Sequence, residues 1–380
     1  MTYADVPGQE KYKNHLRETL ESGRIPHAQI FEGSSGSGSL ALAISYASEL
    51  LKINASSPED TERKCNALVH PDLHFIFPVA TTSSVKKHPV SDLFLEQWRS
   101  FVLENPFRDY FDWLTYIGAE KKQGQIGVDE SQALLQKMSL KAYEGGYKVV
   151  IIWCADRLNI SASNKLLKLV EEPPEKTVFI LVTSSEERLI STIRSRCQLL
   201  TIPSLDKTSS KEYLKNKYSN KTEAEIESAI NRGDGNINEA LKLLKNPDED
   251  YEFEKWFITW VRAAFRAKGD ASVIEQLIDW SDEIASKGRE TQKEFLSYCS
   301  QFFRQALMMN YGLTSLNYLT TKTPGFDLTK FSPFIHGANI EEIHKELDKA
   351  SYHIERNGNA KLILLDTSIK LTRLLHQKTE

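Results

Sequence analysis

The stretch Gly33-Ser34-Ser35-Gly36-Ser37-Gly38-Ser39-Leu40 follows an apolar run, Ala28 to Phe31, and opens a helical segment. A strand, a glycine turn and a helix start in that order point to a parallel α/β sheet built around a phosphate-type loop. The glycine spacing is that of a Walker A loop, whose two halves do different work. The glycines let backbone N–H groups approach and cradle phosphates, and the helix N-terminus adds a favourable dipole. A lysine then reaches the β/γ-phosphates, and the hydroxyl after it holds Mg²⁺. Here Ser39 and Leu40 occupy those two positions, and no Lys or Arg occurs from Glu32 through Leu51. Taken alone, the loop also fits a plain Gly/Ser strand-to-helix turn.

The remaining chain supplies the sheet such a loop needs. Apolar β-type runs at Ala28–Glu32, Leu73–Pro78, Lys148–Trp153, Thr177–Thr183 and Gln198–Ile202 alternate with helical segments. Most are nearly continuous in apolar character, which suits strands covered on both faces. Helices are expected over Gly8–Glu21, Ser39–Leu51, Glu130–Lys141 and Ser161–Glu172, the last stopped by Pro173-Pro174. Residues 80–125 interrupt the pattern and read as an insertion. It has a polar, mobile start and a partly packed helical end carrying Trp98, Phe107, Tyr110, Phe111 and Trp113.

Three regions follow: a sheet domain over 1–204, a small helical lid over 205–247, and a helical domain over 248–380. The lid helices are expected at Ser210–Lys217, Glu223–Asn231 and Ile237–Leu244, with a linker at Asn246-Pro247-Asp248. The last region is helical near Tyr251–Lys268, Val273–Ser286, Glu290–Met309, Ile340–Arg356 and Lys361–Gln377. Leu362, Leu365 and Ile369 recur at helical spacing, as in a packed bundle. A net charge of −4 argues against a strongly basic, stand-alone nucleic-acid binder. With no apolar run of membrane-spanning length and no signal-peptide pattern at Met1-Thr2-Tyr3-Ala4-Asp5, a cytoplasmic protein is expected. Cys65, Cys154, Cys197 and Cys299 are scattered, as reduced thiols rather than a disulfide framework.

A second nucleotide motif is also emptied. Lys148 to Ile152 reads as a Walker B strand, after which an Asp orients Mg²⁺ and a Glu polarises the attacking water. Trp153 and Cys154 stand there instead, and neither suits a hard cation that takes oxygen ligands. Asp156 lies further along and reads as a helix-capping or surface carboxylate.

The segment Ala155-Asp156-Arg157-Leu158-Asn159, then Asn164-Lys165-Leu166-Leu167-Lys168-Leu169-Val170-Glu171-Glu172-Pro173-Pro174, resembles the AAA+ clamp-loader family. So does Thr177 to Thr183 leading into Ile193-Arg194-Ser195-Arg196-Cys197, where the Ser-Arg-Cys triplet is the most diagnostic piece. Val6-Pro7-Gly8-Gln9, Gly23 to Ala28 and His70-Pro71-Asp72 add to the match. The resemblance covers most of residues 1–204. It implies an α/β AAA+ P-loop-type parallel sheet domain, a small helical lid and an all-α C-terminal collar domain for oligomerisation.

A dead nucleotide site beside an intact triplet resembles the family's non-hydrolysing branch, within a DNA polymerase III holoenzyme that loads a sliding clamp onto primed DNA. The implied partners are gamma/tau-type ATPase subunits and a delta subunit, with the sliding clamp and primer-template DNA reached through the complex. The family's arginine finger falls on Arg196, acting in trans, with Ser195 and Cys197 positioning it. A fixed, planar guanidinium can stabilise charge growing on phosphoryl oxygens. The simpler reading of Arg196 is an ion pair with Glu186 or Glu187. Thr183 falls on the sensor-1 position, where strand-end hydrogen bonding is the plainer role. Asn238 falls on the sensor-2 position, where active relatives place an arginine, with Glu239 beside it.

No cofactor, no metal and no intrinsic ATPase activity are expected. Many relatives carry a four-cysteine zinc module, of which Cys65 and the nearby His70 remain. Lys211, Lys215 and Lys217 read as a solvated helix face. Two other readings stay open: a divergent AAA+ ATPase that binds nucleotide through the glycine loop, and a DNA-binding adaptor using the insertion.

Overall fold

The computed structural model describes residues 1–245, 250–313, 321 and 323–378. The chain divides into two compact units, residues 1–119 with 123–244, and residues 120–122 with 245–380. The expected linker at Asn246-Pro247-Asp248 lies outside the described residues.

The first unit is built on five parallel strands: β1 (Ala28–Glu32), β2 (Leu73–Ile76), β3 (Lys148–Trp153), β4 (Thr177–Thr183) and β5 (Gln198–Thr201). Their spatial order is β2-β3-β4-β1-β5. Strands β1, β3 and β4 have the bounds expected from their apolar runs. Strand β2 stops earlier, at Ile76, because Ser91 replaces a neighbouring strand: Phe77 N donates to Ser91 Oγ at 3.0 Å, and that hydroxyl donates back to Phe77 O. Strand β5 is the sheet's edge, and Gln198, Leu199 and Thr201 on it are exposed rather than covered on both faces.

Alternation along the strands sorts side chains into two layers. Val149, Ile151 and Trp153 join one core with Phe31, Phe75, Val178 and Ile180. Val150 and Ile152 join a second with Ile30, Ile76, Phe179 and Leu181. The helices of this unit are α1 (Glu10–Glu21), α2 (Ser39–Lys52), α3 (Pro58–Asn66), α4 (Leu95–Glu104), α5 (Tyr110–Tyr116), α6 (Val128–Ser139), α7 (Ile160–Glu171), α8 (Ser191–Arg194), α9 (Lys207–Lys217), α10 (Glu223–Gly233) and α11 (Ile237–Lys245). Helices α6 and α7 cover the second core through Leu134, Met138, Leu166 and Val170. Helix α2 lies in the first core and is buried nearly all round, as its apolar sequence requires.

Two features depart from the sequence reading. The helical end of the insertion is packed more deeply than expected: Trp98, Phe101, Phe107 and Trp113 are buried in the first core, while Tyr110 and Phe111 are half-buried. The lid helices α9–α11 contribute Leu214, Ile226, Ile230, Ile237 and Leu241 to the same core.

The second unit contains α12 (Asp250–Arg266), α13 (Val273–Ala285), α14 (Arg289–Asn310), α15 (Leu328–Phe331), α16 (Gly337–Glu355) and α17 (Ala360–Leu374). Trp260 and Trp280 stack in its core, centroids 5.0 Å apart, and Trp260 Nε1 donates to Ser368 Oγ at 2.8 Å. The buried face of α17 is Leu364, Ser368 and Leu371, whereas Leu362 and Ile369 are exposed. Of the three positions expected to pack, Leu365 alone lies partly buried against this core, because the helix is apolar on more than one side. Among the described residues, no helix is long and apolar enough to cross a membrane.

Candidate functional site

Parallel strands present their carboxyl ends to one edge, where such sheets hold ligands. Here Gly33 follows β1, Trp153 and Cys154 end β3, and Thr183 ends β4. The loop is tied down by Gly33 N donating to Thr183 O (3.0 Å) and Ser37 N to Ser34 O (3.1 Å). Gly36 and Gly38 have φ of +73° and +86°, which favour glycine, and Gly38 caps α2, whose first residue is Ser39.

The space over these glycines is taken by the chain itself. A Cβ on Gly33 would lie 2.4 Å from Ser37 Oγ, and one on Gly36 would lie 1.9 Å from Asn236 Oδ1. One on Gly38 would lie 3.1 Å from the Phe107 ring. Asn236 also caps α11, accepting from Asn238 N at 3.0 Å, so the loop's tip meets the start of a lid helix. Gln9 Nε2 donates to Ser37 O (3.2 Å) and to Pro203 O (2.7 Å).

At the end of β3, Trp153 is an aromatic packing residue. Its ring lies 5.1 Å from Trp98 and 6.2 Å from Phe101. Cys154 has φ of +51°, and burial pushes its thiol well above the ordinary range, so it stays neutral. Asp156 is not a surface group: its side chain is buried, accepts from Thr183 Oγ1 at 3.1 Å and pairs with Arg157 at 3.5 Å. Thr183 Oγ1 also accepts from Ser185 N at 3.2 Å. The guanidinium of Arg157 lies 4.3 Å from the Tyr110 ring centroid.

On the lid, Asn238 is buried. Its Nδ2 donates to Asp112 Oδ2 at 2.6 Å, and its Oδ1 accepts from Asn105 Nδ2 at 2.9 Å. Glu239 pairs with Lys242 at 3.1 Å, and Lys242 also pairs with Asp112 at 2.9 Å. Burial and the neighbouring Asp112 carboxylate push the Asp109 carboxyl up. Lys211 pairs with Glu223 and Glu227, and Lys215 with Glu223, so these lysines face their own lid helix α10.

Arg196 is not part of this crevice. It lies in the turn between α8 and β5, two residues before Gln198, which pairs with Gln29 at the opposite end of β1. Strand β1 separates that end from Gly33 by about 13 Å at roughly 3.3 Å per residue. The side chain is 39% exposed. Its partner is Glu171 at the end of α7, Nε to Oε1 at 2.6 Å, and Nη1 donates to Thr192 O (2.9 Å) and Ser195 Oγ (3.2 Å). Glu186 pairs instead with Arg194, at 2.9 Å. Burial pushes the Cys197 thiol up to about 12, which leaves it a small packing residue.

Sequence reasoning missed Asn105, Phe107, Asp112 and Asn236 as parts of the crevice. The aromatic density of the insertion was visible, but nothing in it named the surface those rings cover. Of the zinc-module remnants, Cys65 is buried with its thiol pushed up to about 11, and His70 Nε2 faces Glu144 Oε2 at 3.2 Å.

The family described as DNA polymerase III, delta subunit, matches residues 8–206 of this chain. The Bacillus subtilis (strain 168) DNA polymerase III subunit delta' is 27% identical over 260 residues, which is 67% of this chain and 65% of the relative. The Escherichia coli (strain K12) subunit delta' is 43% identical over 83 residues, 22% of this chain and 25% of the relative. The Escherichia coli (strain K12) subunit tau is 28% identical over 205 residues, 54% of this chain and 26% of the relative. The chain thus spans about two thirds of the first relative and a quarter of the other two. A match over more than half of the chain, falling on a parallel sheet with a glycine loop at its switch point, places this protein in the DNA polymerase III delta-subunit family of AAA+ clamp-loader proteins, with delta' subunits among its relatives.

Proposed function

We propose that this chain is a non-hydrolysing, delta'-type clamp-loader subunit that lends Arg196 to the nucleotide site of a neighbouring ATPase subunit. Residues 1–204 serve as the AAA+ core, 205–247 as the lid, and 248–380 as the collar through which the subunits assemble. The partners are gamma/tau-type ATPase subunits and a delta subunit. The sliding clamp and primer-template DNA are reached through the hetero-oligomer, in the cytoplasm during DNA replication.

One observation carries the reading. Arg196 is exposed at the edge of the sheet opposite its own glycine loop, so any phosphate it meets belongs to another chain. Glu171, Thr192 and Ser195 engage Nε and Nη1, which orients the planar group from behind. A pre-oriented guanidinium stabilises phosphoryl charge at little reorganisation cost. The chain's own crevice supports the non-hydrolysing half: an indole and a neutral thiol stand at the metal position, and a neutral amide at the lid.

Arg196→Ala is expected to leave the isolated chain folded, because an exposed pair such as Arg196–Glu171 is worth only about 0–1 kcal/mol. In a reconstituted loader the same change is expected to lower the DNA-stimulated ATPase severalfold while assembly is retained. Arg196→Lys, which keeps the charge and loses the fork, is expected to recover little. Wild-type ATPase rates in a loader carrying Arg196→Ala would remove the proposed role.

A further inference from the structure

We propose that residues 105–113, within the segment between β2 and β3, are a built-in occupant of the nucleotide crevice that holds the lid in place from inside. The proposal concerns the chain's own crevice and stands apart from the role given to Arg196.

Three anchors support it, one reaching the glycine loop and α9 and two reaching α11. Phe107 is 2% exposed. It lies against Gly38 of the glycine loop and makes an edge contact with Tyr213 of α9, ring centroids 5.4 Å apart. Asn105 fixes the approach: its Oδ1 accepts from Phe107 N at 3.0 Å, while its Nδ2 donates to Asn238 of α11. Asp112 presents a carboxylate to the lid, accepting from Asn238 Nδ2 and pairing with Lys242. An anion facing a lid amide and a lid cation is the chemistry that a bound phosphate would otherwise supply.

The local sequence makes this short stretch rigid. Pro106 restricts Asn105 to extended backbone, and its φ of −158° and ψ of 103° lie there. Asp109 then caps α5, with Asp112 N donating to Asp109 Oδ1 at 2.9 Å and Asp109 N to Asp112 Oδ2 at 3.1 Å. Asp112 therefore serves both its own helix start and the lid. Behind the wedge, Trp98 stacks on Phe77 at 4.2 Å and meets Trp113 edge-on at 5.4 Å. The occupant is thus backed by the core rather than borne on a loose loop. A ligand that bridges two elements shifts them toward the closed arrangement; here the bridging group is covalently part of the chain, so closure needs no nucleotide.

Amide hydrogen exchange on the full-length chain tests this, read on peptides from α9–α11 with β3 and β4 peptides as the internal reference. Phe107→Ala and Asn105→Ala are each expected to speed lid exchange by about tenfold or more, with the reference peptides unchanged. Millimolar Mg-ATP is expected to leave the wild-type lid rates as they are. Wild-type lid rates in both folded variants would overturn the proposal, as would a wild-type lid slowed by Mg-ATP. Should Phe107→Ala fail to fold, Asn105→Ala decides by the same readings. The assay uses no partner subunit, so its outcome is independent of the loader ATPase measurement on Arg196→Ala.

Discussion

Glu130 shows how a single buried carboxyl in this molecule couples to pH. It lies on α6 and accepts from Ser91 N at 2.6 Å, which secures the start of the insertion. Burial pushes its carboxyl up to about 7; Asp92 adds to the shift, while the Ser91 hydrogen bonds and Lys137 oppose it. The folded protein therefore holds this proton more tightly than the unfolded chain does. The associated stability is complete below the unfolded value of 4.5 and is lost as pH rises through about 7. At 1.36 kcal/mol per pH unit, a shift of this size corresponds to about 3 kcal/mol. Glu130→Gln imitates the protonated form and keeps an oxygen for Ser91. Urea midpoints are expected to match wild type near pH 5 and to exceed it near pH 8, by an amount on the order of that shift. A difference independent of pH would contradict the assignment.

Among the elements, α4 and α5 turn an apparent interruption into part of the core. Trp98 is fully buried and contacts Phe77, Phe101, Trp113 and Trp153. Trp98→Ala would remove the hub of that cluster and is expected to cost about 3–5 kcal/mol, read as a fall in the urea midpoint of the full chain. A cost below about 1 kcal/mol would mean that the insertion does not support the sheet. This element also marks how far the sequence could be read. Strands β1, β3 and β4 were legible because a doubly covered strand writes its burial as a continuous apolar run. The glycine loop was legible because its spacing is a backbone requirement. The insertion was not, since aromatic residues announce burial without naming the surface that buries them. Arg196 had a partner twenty-five residues upstream, Glu171, which no local pattern could pick out over Glu186. On α17 the same limit appears in reverse, with apolar residues on more sides than one core can cover.

At the scale of the whole molecule, the features behind the proposed non-hydrolysing role are distributed rather than local. The loop lacks a cation at Ser39, the end of β3 offers Trp153 instead of a carboxylate, the lid offers Asn238 instead of an arginine, and Phe107 stands over Gly38. Trp153 meets the insertion through Trp98, and Asn238 through Asn105 and Asp112, so a cation restored at Ser39 leaves the other three in place. Ser39→Lys would put a positive charge back at the loop, yet that charge alone neither clears the Phe107 ring nor supplies a metal ligand. Titration of labelled ATP with Mg²⁺ is therefore expected to show no binding by Ser39→Lys up to about 1 mM, a free energy of only about −4 kcal/mol. Adding Phe107→Ala to Ser39→Lys is expected to bring binding into the millimolar range without turnover, because the Trp153 indole offers no oxygen ligand to Mg²⁺. Binding by Ser39→Lys alone tighter than about 0.1 mM would show that the missing charge, not the occupied crevice, keeps nucleotide out.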